Sequence, residues 1–363
     1  MNILEQKKHY KKLISNPSEN NIEQLSYRYT LFCANIRKFL PHIHYTKYYE
    51  MFEDLLYYQF SSDLEQNNLE YLDDTIIQNF SSINIENYNN EFPLIFATFH
   101  LGSYRLLNSF LFEKGYKIAL IIDSSVFNSK LSKFKDTIEN LLRSKETSDL
   151  IILNVSDRSS IFRLKQLISD GYVLIVYLDG NKSVNNKSQD FSKGYIPISF
   201  FKNKIFVKNG VGILAKFLNA KIIPVISFRD NSEINHIEFY KEISITDFKT
   251  KEEFAIKSIE SCYKKLEEKL LIYTTQWECW LYIHDWFNRV CEIPYENIEM
   301  VKQIFNIKRY KTFVVNGTHF IFDMYNYQSF EINIKILNAI NNNDFEKIDK
   351  NLYDELLKKN III

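Results

Sequence analysis

The sequence predicts an α/β protein: a mostly parallel sheet covered by helices, with an N-terminal helical region and a small α+β module at the C-terminal end. Three observations carry this. Between about residues 90 and 230, short apolar runs alternate with segments of helical periodicity. The 363 residues are 45% hydrophobic and 25% charged, enough apolar material for a sizeable core. Two chemically capable residues, His100 and Asp179, end apolar runs, and the ends of strands are where open α/β sheets collect ligands.

Residues 1–88 read as helices, because Leu31, Phe32, Ile36, Phe39 and Leu40, and then Tyr49, Phe52, Leu55, Leu56 and Phe60, recur at helical spacing. Lys7, Lys8, Lys11 and Lys12 give the first helix a basic face, either a solvated surface or a weak membrane contact. Strands are expected at 93–99, 117–122, 150–155, 172–178 and 221–228. Helices are expected at 102–113, 129–144, 159–169 and 209–218. Ser159-Ser160 mark a helix start and Asp170-Gly171 a helix end. Residues 252–270 form an amphipathic helix, followed by an aromatic stretch from Trp277 to Phe287. Beyond residue 300, runs 311–315 and 319–323 meet across Asn316-Gly317, a hairpin signal, and helices follow at 329–341 and 344–358. The expected division is therefore 1–88, 89–300 and 301–363, the last with the order β-β-α-α.

Lysine plus arginine equals aspartate plus glutamate at 45 each, so no basic balance points to nucleic acid. Cys33, Cys262, Cys279 and Cys291 form no C-x-x-C pair and read as reduced thiols of a cytoplasmic protein. The first residues lack the apolar core of a signal peptide, and no apolar run reaches the roughly 20 residues of a bilayer span. A cytoplasmic location is expected, with membrane contact at most peripheral to the inner face. His9, His42, His44, His236 and His319 are scattered and suggest no metal site.

His100 has two readings: a general base taking a proton from an attacking hydroxyl or amine, or a strand-end histidine bonded to backbone. Gly102 permits close backbone approach, and N–H groups around Gly102 and Ser103 could face an anion or oxyanion. Asp179, Gly180 and Asn181 end the apolar run 172–178 and should emerge at the same sheet edge as His100, though Asp-Gly-Asn also suits a plain turn. Lys202 and Lys204 either bind phosphate or are solvated. Gly210 opens the helix 209–218, and neither G-x-G-x-x-G nor G-x-x-x-x-G-K-[ST] occurs, against nucleotide binding. His284-Asp285 reads as structural, since adjacent residues on a helix point apart.

The string His100-Leu101-Gly102-Ser103-Tyr104-Arg105 resembles the signature of the lipid A biosynthesis (lauroyl/myristoyl) acyltransferase family, of the glycerolipid acyltransferase-like group. There a strand ends in histidine and an acid follows after four intervening residues; here Arg105 stands in the acid's place. Asp179 suits the family's acidic strand end, and Phe200-Phe201-Lys202-Asn203 its Phe-Phe-Gly-Arg string. Gly210, Leu214, Ala215 and Pro224 suit its Gly-Pro-Ala-x-Leu-Ala helix and Val-x-Pro strand, and Trp277 to His284 its closing tryptophan/histidine string. The resemblance covers about residues 90–290. It implies the glycerolipid acyltransferase-like fold and transfer of an acyl group from a thioester, acyl-CoA or acyl carrier protein, to a lipid, sugar or peptide acceptor, with no resident cofactor. His100 would be the base and Asp179 the carboxylate, with Gly102, Ser103, Arg105, Gly180, Asn181, Lys202, Lys204 and Gly210 around the substrate.

Arg105 leaves three possibilities open. Asp179 or Asp123 supplies the carboxylate; Arg105 itself holds a phosphate or carboxylate of the ligand; or transfer is lost and the chain is an acyl- or peptide-binding subunit. The hairpin-then-helices order at the C-terminal end resembles winged-helix peptide-recognition modules, which would imply a peptide acceptor. A dimerisation or packing role is the alternative.

Overall fold

The computed structural model describes the chain apart from residues 1–2, 16–17, 67–69, 84–92, 123–148, 155–159, 181–190, 192–193, 290–303 and 347. The expected helix 129–144, Asp123, Asn181 and Cys291 lie outside the described residues. No described helix is long and apolar enough to cross a membrane. The chain divides into two compact units, Met1–Lys8 with Asp54–Cys279, and His9–Glu53 with Trp280–Ile363. These cut across the three-part division read from the sequence, because the helix Glu19–Phe39 packs on a strand that begins near residue 310.

Among the described residues the first unit has nine strands: β1 (Ile76–Gln78), β2 (Leu94–Thr98), β3 (Lys117–Ile122), β4 (Leu150–Asn154), β5 (Tyr172–Tyr177), β6 (Tyr195–Phe200), β7 (Asn203–Lys208), β8 (Lys221–Arg229) and β9 (Asn235–Phe239). Seven form one sheet in the order β1-β9-β8-β2-β5-β3-β4, parallel except for the β8–β9 pair. All five residues of β2 are buried. Leu94 and Phe96 join a cluster with Leu107, Leu111, Ile175, Ile223 and Phe239, while Ile95 and Ala97 are buried outside that cluster. A strand covered on both faces is apolar along nearly all its length, which is why β2 reads as an unbroken run up to the buried Thr98. Each large side chain fully buried here contributes about 1.5–3 kcal/mol of transfer free energy.

Two local expectations are corrected, and one element was not expected. The region 1–88 is not wholly helical: β1 adds an edge strand parallel to β9. The helix expected from 102 begins at Leu106, because Leu101 pairs with Trp277 and Gly102 holds φ +56°, so the chain turns before it coils. A hairpin, β6–β7, fills 195–208. Its turn residues Phe201 and Lys202 sit at φ +46° and +62°, without the glycine or asparagine that advertises such turns. The helix Gly210–Leu218 lies close against Lys251–Leu270: a Cβ on Gly212 would fall 1.9 Å from the Ala255 carbonyl oxygen.

In the second unit an antiparallel sheet β10-β11-β12 (Tyr310–Val315, Thr318–Asp323, Gln328–Ile332) is followed by helices Ile334–Asn342 and Lys350–Lys358. The order is thus β-β-β-α-α, and the start of the expected helix 329–341 is strand instead. Gln328–Ile332 registers with β11, and the Asn333 side chain then caps the helix by accepting from the Ile336 N–H. Ile321, Ile332, Ile336, Ile340, Leu356 and Ile362 share its core.

Candidate active site

The strand register brings His100 and Asp179 together. Thr98 of β2 is paired with Tyr177 of β5, and each site residue lies two positions beyond its member of that pair. β2 is also where the sheet's connections diverge, with β3 and β4 beyond β5 on one side and β8 and β9 on the other. In open α/β sheets ligands bind outside the strand ends at such a switch point.

Asp179 is fully buried and His100 keeps 23% of its side chain exposed. The His100 Nδ1 lies 2.6 Å from Asp179 Oδ1. The other carboxylate oxygen, Oδ2, accepts from the His100 backbone N–H at 2.9 Å, from Trp277 Nε1–H at 2.8 Å and from the Cys279 thiol at 3.2 Å. Among the described residues, His100 Nε2 takes no hydrogen bond. The ring is flanked by Tyr104 and Tyr177, with centroids at 4.7 and 4.8 Å. Burial works to lower the His100 pKa, but the Asp179 charge and hydrogen bond outweigh it and set it above the ordinary imidazole value. For Asp179, burial works upward, and the His100 charge with three donated hydrogen bonds holds the carboxyl below its ordinary value. Burial pushes the Tyr177 phenol up to about 12, so it stays neutral.

Two other histidines also meet carboxylates and differ in one respect. His236 Nε2 lies 2.9 Å from Asp230 and its Nδ1 3.0 Å from Gln78 Nε2, so both ring nitrogens are engaged. His284 has Nδ1 at 3.3 Å from Asn35 Nδ2, and its Nε2 is 3.7 Å from Asp285, beyond hydrogen-bond reach. Burial, with Arg289, pushes His284 down to about 3, so it is a neutral core residue. Among these three histidines with carboxylate neighbours, His100 alone combines a tight carboxylate contact with an unengaged nitrogen.

The remaining sequence-derived residues are distributed as follows. Gly102 is sterically required, since a Cβ would lie 2.8 Å from Phe228 Cα. Its N–H is committed to the Gln276 carbonyl at 3.2 Å, so it is not a free donor for an oxyanion; the N–H groups of Ser103, Tyr104 and Arg105 make no hydrogen bond among the described residues. The Ser103 hydroxyl binds Glu65. Arg105 donates from Nη1 to Asp63 at 2.6 Å and lies over the Tyr104 ring. Gly180 and Gly210 are unconstrained, with room for a side chain. Lys202 and Lys204 are exposed on the hairpin, Lys204 beside the Phe206 ring at 5.3 Å.

Sequence reasoning missed Glu65. It is fully buried at the end of the helix Tyr48–Glu65 and bound by Arg229, Lys7, Ser103 and Asn235. No local signal marks it, because its partners come from three distant segments: the first helix, the turn after β2 and the β8–β9 hairpin. Trp277 belonged to a recognised string, but its bond to Asp179 did not follow from that string.

His100, Asp179 and Cys279 offer an imidazole nitrogen, a carboxylate oxygen and a thiol within 4.8 Å of one another, the one such group among the described residues. The distances do not suit a metal. Ligands about 2.0–2.3 Å from a tetrahedral zinc stand well over 3 Å apart, whereas His100 Nδ1 and Asp179 Oδ1 are 2.6 Å apart, sharing a proton. The arrangement is a hydrogen-bonded base–acid pair whose second ring nitrogen is unengaged among the described residues.

No protein-family model matches the chain, and no curated protein matches it.

Proposed function

We propose that the chain is an acyl thioester-dependent acyltransferase of the glycerolipid acyltransferase-like fold, acting in the cytoplasm with at most peripheral membrane contact. The observation that carries this reading is the 2.6 Å His100–Asp179 contact just past the ends of β2 and β5, with Nε2 unengaged among the described residues. Lys202 adds support: it sits at φ +62° where the resembled family carries glycine, the residue that conformation favours.

In the reaction, an acceptor hydroxyl or amine gives its proton to His100 Nε2 as its oxygen or nitrogen attacks the thioester carbonyl carbon. Asp179 stabilises the imidazolium that forms. The N–H groups of Ser103, Tyr104 and Arg105 are the donors for the tetrahedral oxyanion. The carbon–sulfur bond then breaks, the imidazolium returns the proton to the leaving thiolate, and ester or amide and free thiol result. Acyl-CoA or acyl carrier protein supplies the acyl group; the acceptor is a lipid, sugar or peptide. Lys202, Lys204 and Arg105 are the candidates for holding donor phosphates.

The test is thiol release from acyl-CoA and acyl carrier protein by wild type, His100→Ala and Asp179→Asn. Both variants should fall by about 100-fold or more, the scale of general-base catalysis. Equal background turnover in all three would overturn the enzyme reading and favour the binding subunit that Arg105 suggests.

A further inference from the structure

The proposed chemistry uses one oxygen of Asp179 and leaves unexplained why three donors crowd the other. Oδ2 accepts the His100 backbone N–H, the Trp277 indole N–H and the Cys279 thiol, while among the described residues Oδ1 meets only the imidazole. A carboxylate can rotate about its Cβ–Cγ bond. Donors gathered on one oxygen fix that rotation and present the other along the Nδ1–H direction. The two outer donors come from one segment, Gln276–Cys279, clasped across the turn after β2. Gly102 N–H donates to the Gln276 carbonyl, Glu278 N–H donates to the His100 carbonyl, and the Gln276 side chain bonds both the N–H and the carbonyl of Arg229. Trp277 is itself fully buried, with Phe200 at 5.5 Å. An indole held so firmly donates along one line.

We propose that Trp277 is a positioning residue, whose indole N–H locks the Asp179 carboxylate in the rotation that delivers Oδ1 to His100. This rests on the base–acid reading of His100 and Asp179. The charged and titratable groups around the pair are Glu278, Arg105, Tyr104 and Tyr177 about the imidazole, and Cys279 and Tyr263 about the carboxylate.

The experiment is an NMR titration of the His100 imidazole in the full chain, comparing wild type, Asp179→Asn and Trp277→Phe, which keeps a ring against Phe200. It needs no substrate. Positioning predicts that His100 in Trp277→Phe falls by about one pKa unit toward the Asp179→Asn value, because a carboxylate free to turn no longer meets Nδ1. If the indole only withdrew charge from a carboxylate that stays in place, the His100 pKa would rise. If it only filled space, the pKa would not move. Either result overturns the proposal. A titration unchanged in Asp179→Asn would instead sink the base–acid reading itself. Should Trp277→Phe not fold, the wild-type indole N–H decides. Its resonance should be slow to exchange and should shift as His100 titrates, and a fast-exchanging, unresponsive signal overturns the proposal.

Discussion

Glu65 meets Arg229 through both carboxylate oxygens, each 2.6 Å from the same Nη2. Lys7 and Ser103 bind the same carboxylate, and Asn235 Nδ2 reaches it at 3.0 Å. Burial works to raise the Glu65 pKa, and the Arg229 and Lys7 charges outweigh it, so the carboxyl lies below its ordinary value. Glu65→Ala would leave two buried cations without their counter-ion and should cost about 3–5 kcal/mol in urea unfolding. Adding Arg229→Met to that variant should recover part of the loss. A Glu65→Ala protein within about 1 kcal/mol of wild type would contradict this account.

The pair at the sheet edge should leave a signature in stability against pH. His100 has a raised folded pKa, so its contribution is complete below the ordinary 6.5 and is lost as pH rises through the folded value. Asp179 is lowered, so its contribution is complete above the ordinary 3.8 and is lost as pH falls through the folded value. The destabilisation caused by Asp179→Asn should therefore be larger at about pH 5.5 than at about pH 9. Paired denaturant titrations at the two values check it.

His284 should act with the opposite sign. Its folded value of about 3 lies below the ordinary 6.5, so acid protonates the unfolded chain first and draws the protein toward it. His284→Gln should flatten the loss of stability between pH 6.5 and 4 in thermal melts, and an unchanged acid slope would refute this.

Arg105 opposes the imidazolium at His100. Removing it should raise the His100 pKa further, and Arg105→Gln tests this by NMR titration. Because Asp63 is largely exposed, the Arg105–Asp63 ion pair should add less than about 1 kcal/mol to stability.

Gly102→Ala must place a methyl group 2.8 Å from Phe228 Cα, at a φ of +56° that side chains disfavour. A loss of about 1–3 kcal/mol is expected. The change should also broaden or shift the His100 ring resonances, since Gly102 lies two residues from it. Gly115→Ala, where a Cβ meets nothing within 4 Å but φ is +84°, isolates the backbone component.

The parallel sheet and the meeting of His100 with Asp179 were legible because both rest on local pattern. Runs buried on two faces are continuous in the sequence, and residues just past neighbouring strand ends share an edge. The β6–β7 hairpin was not legible, since Phe201 and Lys202 adopt left-handed backbone with no residue type to announce it. β12 was hidden because Gln328–Ile332 carries a mostly exposed, polar pattern and owes its state to pairing with β11. Glu65 was invisible for a different reason: a buried acid is defined by its partners, and here they stand as far as 170 positions away.

The clasp over the turn after β2 is contributed by Gln276 to Cys279, nearly at the end of the first unit. During synthesis, β2 and β5 leave the ribosome long before Trp277 does. A nascent chain that has made the sheet but not yet this segment holds Asp179 without its indole and thiol donors. The full set of donors on Asp179 is therefore complete only late in synthesis, and a fragment ending ahead of residue 276 would lack both the indole and the thiol.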